Sequence, residues 1–564
     1  MGRPRHVTPL PRGTSRRGFL KGSIPTAVAV SAASAAPLLT LAPQAHAQQG
    51  GGVFQHGVAS GDPLADRVIL WTRITPPVAR SAITVSWIVA TDPALSRVVL
   101  RGSAKTNPAR DNTVKIDAIG LQPATTYYYR FTAEGTPSPV GRTRTLPAGS
   151  TDHLRIAVAS CSNHAYGYFN AYRRIAERAD LDLVLHLGDY LYEYGANQYG
   201  NLRTPEPAHE MVTLPDYRMR HAQYKRDADL QELHRQHPVI AIWDDHEITN
   251  DAWTGGAQNH TEGAEGSWPQ RVDQGLQAYY EWMPVRVPDV NARRRNQRAF
   301  RIGDLVDLVM LEERLGARSQ QLPATIPTPF GNGFVQAGEF VNPQRTLLGP
   351  EQEAWLAERL RSSTARWKFL GQGVMFAQIK LVAATRASGR SVFANSDQWD
   401  GYEPARDRLY AVLKGDAEHA PVGNCVVLTG DIHSSWAADL TQDPNNPDLA
   451  SGGYDAASGE GSHAVEFVGT SITSPGLPDP DGSTARLLNS VNPHFKYIEL
   501  TQRGYMLLDA TPERVVAEWW YVDTVATPSG SERFAAAMEV RDGTNRLLPS
   551  SQTPDRADPP LLAP

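Results

Sequence analysis

The chain has 564 residues, which is more than one ordinary domain and predicts two or three. Hydrophobic residues make up 41% of it and charged residues 20%, so a sizeable core is available. The formal net charge is −5. It reaches about −11 if the basic leader described next is removed, which argues against nucleic acid or anionic lipid as the main partner and suits a protein that holds metal cations.

Residues 1–47 have the features of a twin-arginine export signal. The paired arginines of "SRRGFLKGS" precede an apolar, alanine-rich stretch, and the small residues at 45–47 suit a signal peptidase. Pro25 and Pro37 interrupt the apolar stretch and argue against a transmembrane anchor. We therefore expect export by the twin-arginine translocase to the periplasm or the exterior, with no stable membrane span. That route carries folded proteins, often with a cofactor inserted, and so favours a metal or other prosthetic group.

Residues 53–147 predict an antiparallel β-sandwich. Short runs such as "RVILWTRI" and "ITVSWIVA" alternate apolar and polar residues and are separated by turns rich in Pro, Gly, Asn and Asp. The stretch "LQPATTYYYRF" resembles the tyrosine-corner turn of fibronectin type III and immunoglobulin-like domains. This part of the sequence shows no cluster of ligating or nucleophilic residues.

Residues 152–545 predict an α/β layered domain. Nearly continuous apolar runs, among them "LRIAVASC", "LVLHLGD", "VIAIWDD" and "CVVLTGD", are separated in part by helical stretches such as "GPEQEAWLAERLRSS". Strands that are apolar on both faces indicate buried sheets covered by helices. Residues 546–564, rich in Pro and Asp, form a tail to which the sequence assigns no structure.

Four of the apolar runs end in side chains that can bind metal ions. One such ending is more often a turn or a helix cap, but four are hard to explain by turn chemistry alone. Asp244 and Asp245 are adjacent like charges, which need cations or strong donors near a core. Because the chemistry of α/β sheets gathers beyond the carboxyl ends of strands, the sequence predicts a polynuclear metal site. Its candidate residues are Cys161, Asp189, Tyr192, Asp244, Asp245, His246, Asn250, Asp431 and His433.

The types of ligand narrow the choice of metal. Phenolate, thiolate, carboxylate and imidazole suit a hard or borderline transition ion, and Fe³⁺ is the natural partner of tyrosinate. Oxygen-rich positions suit Ca²⁺, Mg²⁺ or Mn²⁺, whereas the absence of a C-x-x-C pair makes zinc a poor match. Neighbouring ions that share a carboxylate indicate phosphate-ester hydrolysis.

These motifs together resemble those of the PhoD-type alkaline phosphatases, a variant of the metallophosphoesterase superfamily. "DDHE" stands where the superfamily usually has "GNHE", "GDIH" stands for "GHxH", and "SC" and "GDYLYEY" complete the set. The resemblance extends to "HGVASGDPLADRVILWTRI", "LLGPEQEAWL" and "GYMLLDATPERV" and covers nearly the whole chain after the leader. It implies a catalytic domain of two packed mixed β-sheets flanked by helices, preceded by an all-β sandwich similar to fibronectin type III.

The resemblance also implies roles for particular residues. The iron ligands would be Cys161, Asp189, Tyr192 and Asp431, with His433 as a further candidate. The ligands of two calcium ions would be Asp189 as a bridge, Asp244, Asp245, His246, and Asp431 or His433. Asn250 and Arg271 match positions that hold the phosphoryl group, for which an amide and a planar guanidinium are suitable donors. Either His246 or His433 could support the leaving group or the attacking water.

Two departures from the family pattern leave questions open. "LEERLGAR" carries Glu312 where the family has Asp in an "LDTR"-like stretch, and "ITND" lacks the doubled asparagine that often follows "DDHE". Cys425 is expected to pack in the core; a disulfide between it and Cys161 is the alternative and would contradict the iron site.

The expected function is that of a secreted, metal-dependent alkaline phosphatase that acts on phosphate monoesters, with phosphodiesterase activity in addition. We expect a monomer with no nucleic-acid-binding role. One alternative is a secreted phosphodiesterase, similar to phospholipase D, acting on phospholipid, nucleotide or cell-wall polymer diesters. Another, of a different class, is a non-catalytic metal-binding surface protein.

Overall fold

The computed structural model describes residues 52–328 and 331–564. The predicted export signal at 1–47 lies outside these residues. Within them, no helix is both long enough and apolar enough to cross a membrane.

The N-terminal part of the described chain is all β. Its strands are β1 (Val58–Gly61), β2 (Arg67–Arg73), β3 (Ile83–Ala90), β4 (Val98–Thr106), β5 (Thr113–Ile119), β6 (Thr126–Ala133), β7 (Thr136–Pro137) and β8 (Gly141–Arg144).

The remainder mixes strands and helices. The strands are β9 (Leu154–Ala159), β10 (Leu183–Leu187), β11 (Pro238–Ile242), β12 (Arg298–Ile302), β13 (Val306–Met310), β14 (Ile326–Thr328), β15 (Gly331–Gly333), β16 (Trp367–Gln372), β17 (Lys380–Val382), β18 (Val392–Phe393), β19 (Cys425–Thr429), β20 (Ser435–Leu440), β21 (Ala464–Val468), β22 (Phe495–Glu499), β23 (Gly504–Ala510), β24 (Arg514–Val522), β25 (Glu532–Arg541) and β26 (Leu547–Pro549). The helices are α1 (Asn170–Ala176), α2 (Leu214–Lys225), α3 (Ala228–Gln236), α4 (Trp268–Trp282), α5 (Gly349–Ser362), α6 (Glu403–Lys414) and α7 (Ser483–Val491).

Two large mixed sheets enclose the main core. One runs in the order β26-β25-β24-β23-β9-β10-β11-β1-β2-β5 and the other in the order β12-β13-β16-β19-β21-β20-β22. Ile156 and Ile240 of the first sheet share a buried cluster with Leu308, Phe369 and Val426 of the second. The sheets therefore face each other across an apolar layer.

The outer faces of both sheets are covered by helices. In β9, Ile156 points to the layer between the sheets, whereas Ala157 packs in a cluster with Ile175 of α1 and Leu230 of α3. In β19, Val427 packs in a cluster with helices α5 and α6. Because both faces of these strands are buried, their sequences are apolar without alternation, which confirms the prediction of mixed sheets flanked by helices.

The N-terminal strands form two layers. Strands β3, β4, β6, β7 and β8 make a separate sheet, while β1, β2 and β5 belong to the ten-stranded sheet. Val68 and Leu70 pack against Val85 and Phe131 between the layers. At the predicted tyrosine corner, the Tyr127 hydroxyl accepts a hydrogen bond from the backbone N–H of Gln122, at 2.8 Å.

Strand β1 joins the N-terminal strands to the rest of the molecule. It pairs in parallel with β11, with Ser60 opposite Pro238 and Gly61 opposite Val239. A Cβ atom on Gly61 would lie 2.4 Å from the carbonyl oxygen of Pro284 and 2.5 Å from that of Val239, so the junction requires glycine. The ten-stranded sheet is thus continuous across the two parts of the chain.

Beyond β26, the tail at 546–564 forms no helix or strand but is held in place by hydrogen bonds. Pro554 accepts a hydrogen bond from Arg155 at 2.9 Å, and Ala563 exchanges two hydrogen bonds with the Gln236 side chain at 2.8 and 3.1 Å. Arg155 lies at the start of β9 and Gln236 just before β11. The tail therefore follows the amino ends of these strands and does not reach their carboxyl ends.

Candidate metal centre

The predicted ligands lie at the carboxyl ends of four strands. Cys161, Asp189, Asp244 and Asp431 are each the second residue after β9, β10, β11 and β19. Cys161, Asp189 and Asp431 have φ angles of 59°, 54° and 58°. This left-handed conformation costs a non-glycine residue about 1–3 kcal/mol and clusters at functional sites. Sharp turns at matching positions bring the side chains together.

The ligand atoms form three groups that overlap. Within each group they lie within 4.8 Å of one another, and all the residues are at most 4% exposed. The groups are Cys161, Asp189 and His433; Asp189, Asp245 and His246; and Asp244, Asp245 and Asp431. Asp189 joins the first two groups and Asp245 joins the last two. The carboxylates therefore link the groups into one continuous site.

Tyr192 lies against the first group. Its hydroxyl is 2.9 Å from Asp189 Oδ2 and 3.1 Å from His433 Nε2. Burial raises the pKa of the Tyr192 phenol well above its ordinary value, and the negative charges of Asp189 and Cys161 raise it further. The phenol is therefore neutral unless a nearby cation stabilises the phenolate.

His246 is oriented by a glutamate that was not among the predicted site residues. Its Nδ1 lies 2.6 Å from Glu193 Oε2, and its Nε2 lies 3.9 Å from Asp245 Oδ1. Burial opposes a charge on the ring, but Asp245 and Glu193 outweigh it and raise the pKa of His246 to about 10. Glu193 also accepts the backbone N–H of Asn250 at 2.8 Å. The only sequence signal for it is its place in "GDYLYEY".

Arg314 was also missed by the sequence prediction. Its guanidinium bonds to both carboxylate oxygens of Asp244, reaches Asp431 Oδ1 at 3.5 Å and donates to Asp397 at 2.9 and 3.0 Å. Burial raises the pKa of Asp244 to about 6 against the opposing charge of Arg314. The signal that could have found Arg314 is that "LEERLGAR" follows the apolar run of β13, just as the predicted ligands follow theirs.

The structure accounts for Glu312, the departure from the family pattern. Its carboxylate accepts the backbone N–H groups of Arg314, Leu315 and Gly316 at 2.9, 2.7 and 2.6 Å. It also accepts the indole N–H of Trp243 at 2.9 Å. Glu312 thus holds the turn that carries Arg314.

Arg271 makes its contacts outside the three groups. It is 1% exposed and donates to the Tyr217 hydroxyl, the Glu210 and Glu265 carboxylates, and the backbone carbonyls of Met211 and Asn259. These bonds use all five of its N–H donors. Asn250 lies nearer the groups, because its backbone shares Glu193 with His246. The phosphoryl-binding role of Arg271 stays a prediction.

The two cysteines are not bonded to each other. Both are buried thiols, and Cys425 packs in an apolar cluster that includes Val427 and Leu409. Its expected role in core packing is confirmed, and the alternative of a disulfide is wrong. Burial raises the pKa of the Cys425 thiol to about 12, which keeps it protonated and unreactive.

The chain is similar to known proteins along most of its length. Residues 156–519 match the family model of the PhoD-like phosphatases, and residues 40–147 match that of the PhoD-like phosphatase N-terminal domain. The chain is 36% identical to alkaline phosphatase D of Bacillus subtilis (strain 168) over 519 residues, which covers 89% of this chain and 83% of that protein. It also superposes on a solved structure of PhoD with a TM-score of 0.77 and 35% identity, covering 92% of this chain and 95% of that one. The chain therefore belongs to the PhoD-like phosphatase family and is a homologue of alkaline phosphatase D, a phosphoric ester hydrolase.

Proposed function

We propose that this protein is an exported, metal-dependent alkaline phosphatase that releases phosphate from monoesters and also acts on diesters. The observation that carries the proposal is the overlap of three buried ligand groups through Asp189 and Asp245. Adjacent cations that share a carboxylate suit phosphate-ester hydrolysis, because a pair of ions can stabilise both the attacking and the leaving oxygen.

The donor atoms of the groups differ and favour different ions. The first group offers the thiol of Cys161, the imidazole of His433 and a carboxylate, with the Tyr192 phenol beside them, a set that fits Fe³⁺. The third group offers only carboxylates, which fit Ca²⁺. We infer one iron and two calcium ions. Bound there, they would supply Lewis acidity and lower the pKa of a coordinated water.

The protein's own residues would bind and orient the substrate around the ions. Glu193 fixes the His246 ring through Nδ1, so Nε2 is presented to the site and can support the leaving group or water. The Asn250 amide is a neutral donor for a phosphoryl oxygen. Arg271 would bind the phosphoryl group if one of its hydrogen bonds to Glu210 or Glu265 were replaced by a bond to a phosphoryl oxygen. Arg314 offsets the charge of the carboxylates.

The finer features of the fold and of export belong to the same proposal. We infer that the two facing sheets are the layers of a metallophosphoesterase and that 53–147 is a fibronectin-III-like sandwich, supported by the Tyr127 hydroxyl contact. We infer a catalytic domain at 152–545 followed by the tail, acting as a monomer. Residues 1–47 would direct twin-arginine export to the periplasm or the exterior.

The proposal is tested on natively exported protein by metal analysis, the visible spectrum, and rates on an aryl phosphate monoester and the corresponding diester. We expect iron and calcium together, a colour from Fe³⁺–tyrosinate, and faster monoester hydrolysis. Tyr192→Phe should remove the colour and lower activity about 10–100-fold. Tyr194→Phe is the matched control, since Tyr194 lies in the same cluster of aromatic rings.

Each part of the proposal has its own contradicting result. A colourless, iron-free but active protein would overturn the iron assignment, but the proposed phosphatase reaction would still stand. A large preference for the diester would make the protein a phosphodiesterase. Full metal occupancy without hydrolysis of either ester would mean that the metals are structural.

A further inference from the structure

A fifth loop, in addition to the four predicted strand ends, lies over the first ligand group. Residues 471–475, with the sequence "SITSP", follow the end of β21. The backbone N–H of Ile472 donates to the carbonyl of Ser160 at 3.0 Å, and that of Thr473 donates to the carbonyl of Cys161 at 3.3 Å. The loop is thus tied to the turn that carries Cys161.

This loop reaches three of the residues predicted as iron ligands. The Ser474 hydroxyl oxygen lies 2.7 Å from the Tyr192 hydroxyl oxygen and 3.1 Å from the backbone carbonyl oxygen of Cys161. The carbonyl of Pro475 lies 2.9 Å from His433 Nδ1. Because a carbonyl can only accept, Nδ1 of His433 carries a proton and Nε2 presents its lone pair to the group.

The direction of the hydrogen bond from Ser474 follows from proton counting. Tyr192 has one hydroxyl proton, and the Asp189 carboxylate, 2.9 Å away, accepts it. The proton between Ser474 and Tyr192 therefore comes from Ser474. If Tyr192 loses its proton to become a ligand, its oxygen can only accept, so Ser474 is the donor in that state as well.

The Ser474 hydroxyl has one proton and two possible acceptors, the Tyr192 oxygen and the Cys161 carbonyl oxygen. A hydrogen bond to an ionised oxygen is roughly twice as strong as one between neutral groups, so the Tyr192 phenolate outcompetes the Cys161 carbonyl. Ser474 is fully buried and Tyr192 is only 1% exposed, so the phenolate has no access to bulk water as a substitute donor.

We propose that Ser474 is a positioning residue of the metal centre, whose hydroxyl donates to the Tyr192 oxygen and stabilises the phenolate that would bind iron. The proposal rests on the metal-dependent function proposed above. It assigns the loop at 471–475 to the iron end of the site.

The test is the visible spectrum and iron affinity of Ser474→Ala in the full-length, iron-loaded protein. Loss of the donor raises the energy of the filled phenolate orbital, so the phenolate-to-iron band should move to longer wavelength. Iron affinity, measured by competition with a chelator, should fall about tenfold. Ser474→Thr keeps the hydroxyl and should keep the band near its original position.

Ser471→Ala is the matched control. Ser471 is equally buried, and its hydroxyl bonds to the backbone N–H and carbonyl of Ser474 at 3.2 and 2.8 Å. Its loss loosens the same loop but leaves the Ser474 hydroxyl in place, so the band should not move. An equal shift in both alanine variants, or no shift in Ser474→Ala, would show that Ser474 only shapes the loop.

The unsubstituted protein separates this inference from the proposed function. Hydrolysis without a tyrosinate band would overturn the role of Ser474 and leave the phosphatase intact. A band without hydrolysis would overturn the phosphatase, and the shift in Ser474→Ala would still report on the phenolate.

Discussion

Several buried glutamates near the site accept hydrogen bonds from backbone N–H groups and belong to none of the three ligand groups. Glu247, the last letter of "DDHE", accepts the backbone N–H groups of Asp189, Tyr190 and Asp244 at 3.2, 2.7 and 3.0 Å. Burial and the charge of Asp189 raise the pKa of Glu247, whereas the hydrogen bonds from the backbone N–H groups of Tyr190 and Asp244 oppose this and favour the carboxylate. Glu313 accepts two amides of the loop after β16 in the same way. Turns at strand ends leave N–H groups unpaired, and these carboxylates satisfy them.

We therefore expect Glu247→Gln to destabilise the protein, although the glutamine side chain is about as large as that of glutamate. Both carboxylate oxygens accept amides, so a glutamine in either orientation points its NH₂ at an N–H donor. The loss should be about 1–3 kcal/mol of unfolding free energy, together with weaker metal retention. Urea unfolding and metal analysis measure the two effects.

Glu351→Gln provides the comparison, because the Glu351 side chain is 71% exposed and pairs with Arg295 at the surface. It should change the unfolding free energy by less than about 0.5 kcal/mol. Equal stability of the two variants would mean that Glu247 does not hold the turns.

At the scale of elements, the sheet junction at β1 and β11 leaves no room for a side chain at Gly61. Gly61→Ala would place a methyl group within 2.5 Å of two carbonyl oxygens, of Pro284 and Val239, and neither backbone segment can rotate away as a side chain would. We expect a loss of about 1–3 kcal/mol. Gly149→Ala is the control, since nothing lies within 4 Å of the added atom. Thermal unfolding of both variants checks this, and matching midpoints would contradict a tight junction.

The elements also show what the sequence could and could not predict. Strands β9, β10, β11 and β19 were recognisable because both faces are covered, and their polar ends marked the site. The pairing of β1 with β11 could not be predicted. These strands lie about 180 residues apart in the sequence, and an apolar pattern does not indicate which strands pair with each other. Glu193, Arg314 and Ser474 are single polar residues in loops without a periodic pattern. Only the approach of distant loops gives them their roles.

At the scale of the whole molecule, the tail connects the N-terminal layers to the part of the chain that mixes strands and helices. The Tyr128 hydroxyl of β6 donates to the carbonyl of Leu561, and Arg556 donates to Asp182 at 2.9 Å. Asp182 immediately precedes β10. The tail therefore strengthens the assembly at the edge opposite the candidate metal centre.

Removing residues 551–564 should lower stability while sparing catalysis. The tail hydrogen bonds contribute about 1 kcal/mol each, so several degrees of melting temperature should be lost. The kcat/KM of the folded protein should stay within about twofold, because the tail lies at the amino ends of the strands. A large loss of kcat with an unchanged melting temperature would place the tail at the site instead.

The sharing of Asp189 and Asp245 has a thermodynamic consequence. Ions held by a common carboxylate do not bind independently, and the coupling free energy between them is the same in both directions. Whatever an ion in one group does to the affinity of the next group for its ion, that second ion must do in return. Depleting one metal therefore changes the retention of the other, and affinities for this centre have meaning only when the occupancy of the neighbouring groups is stated.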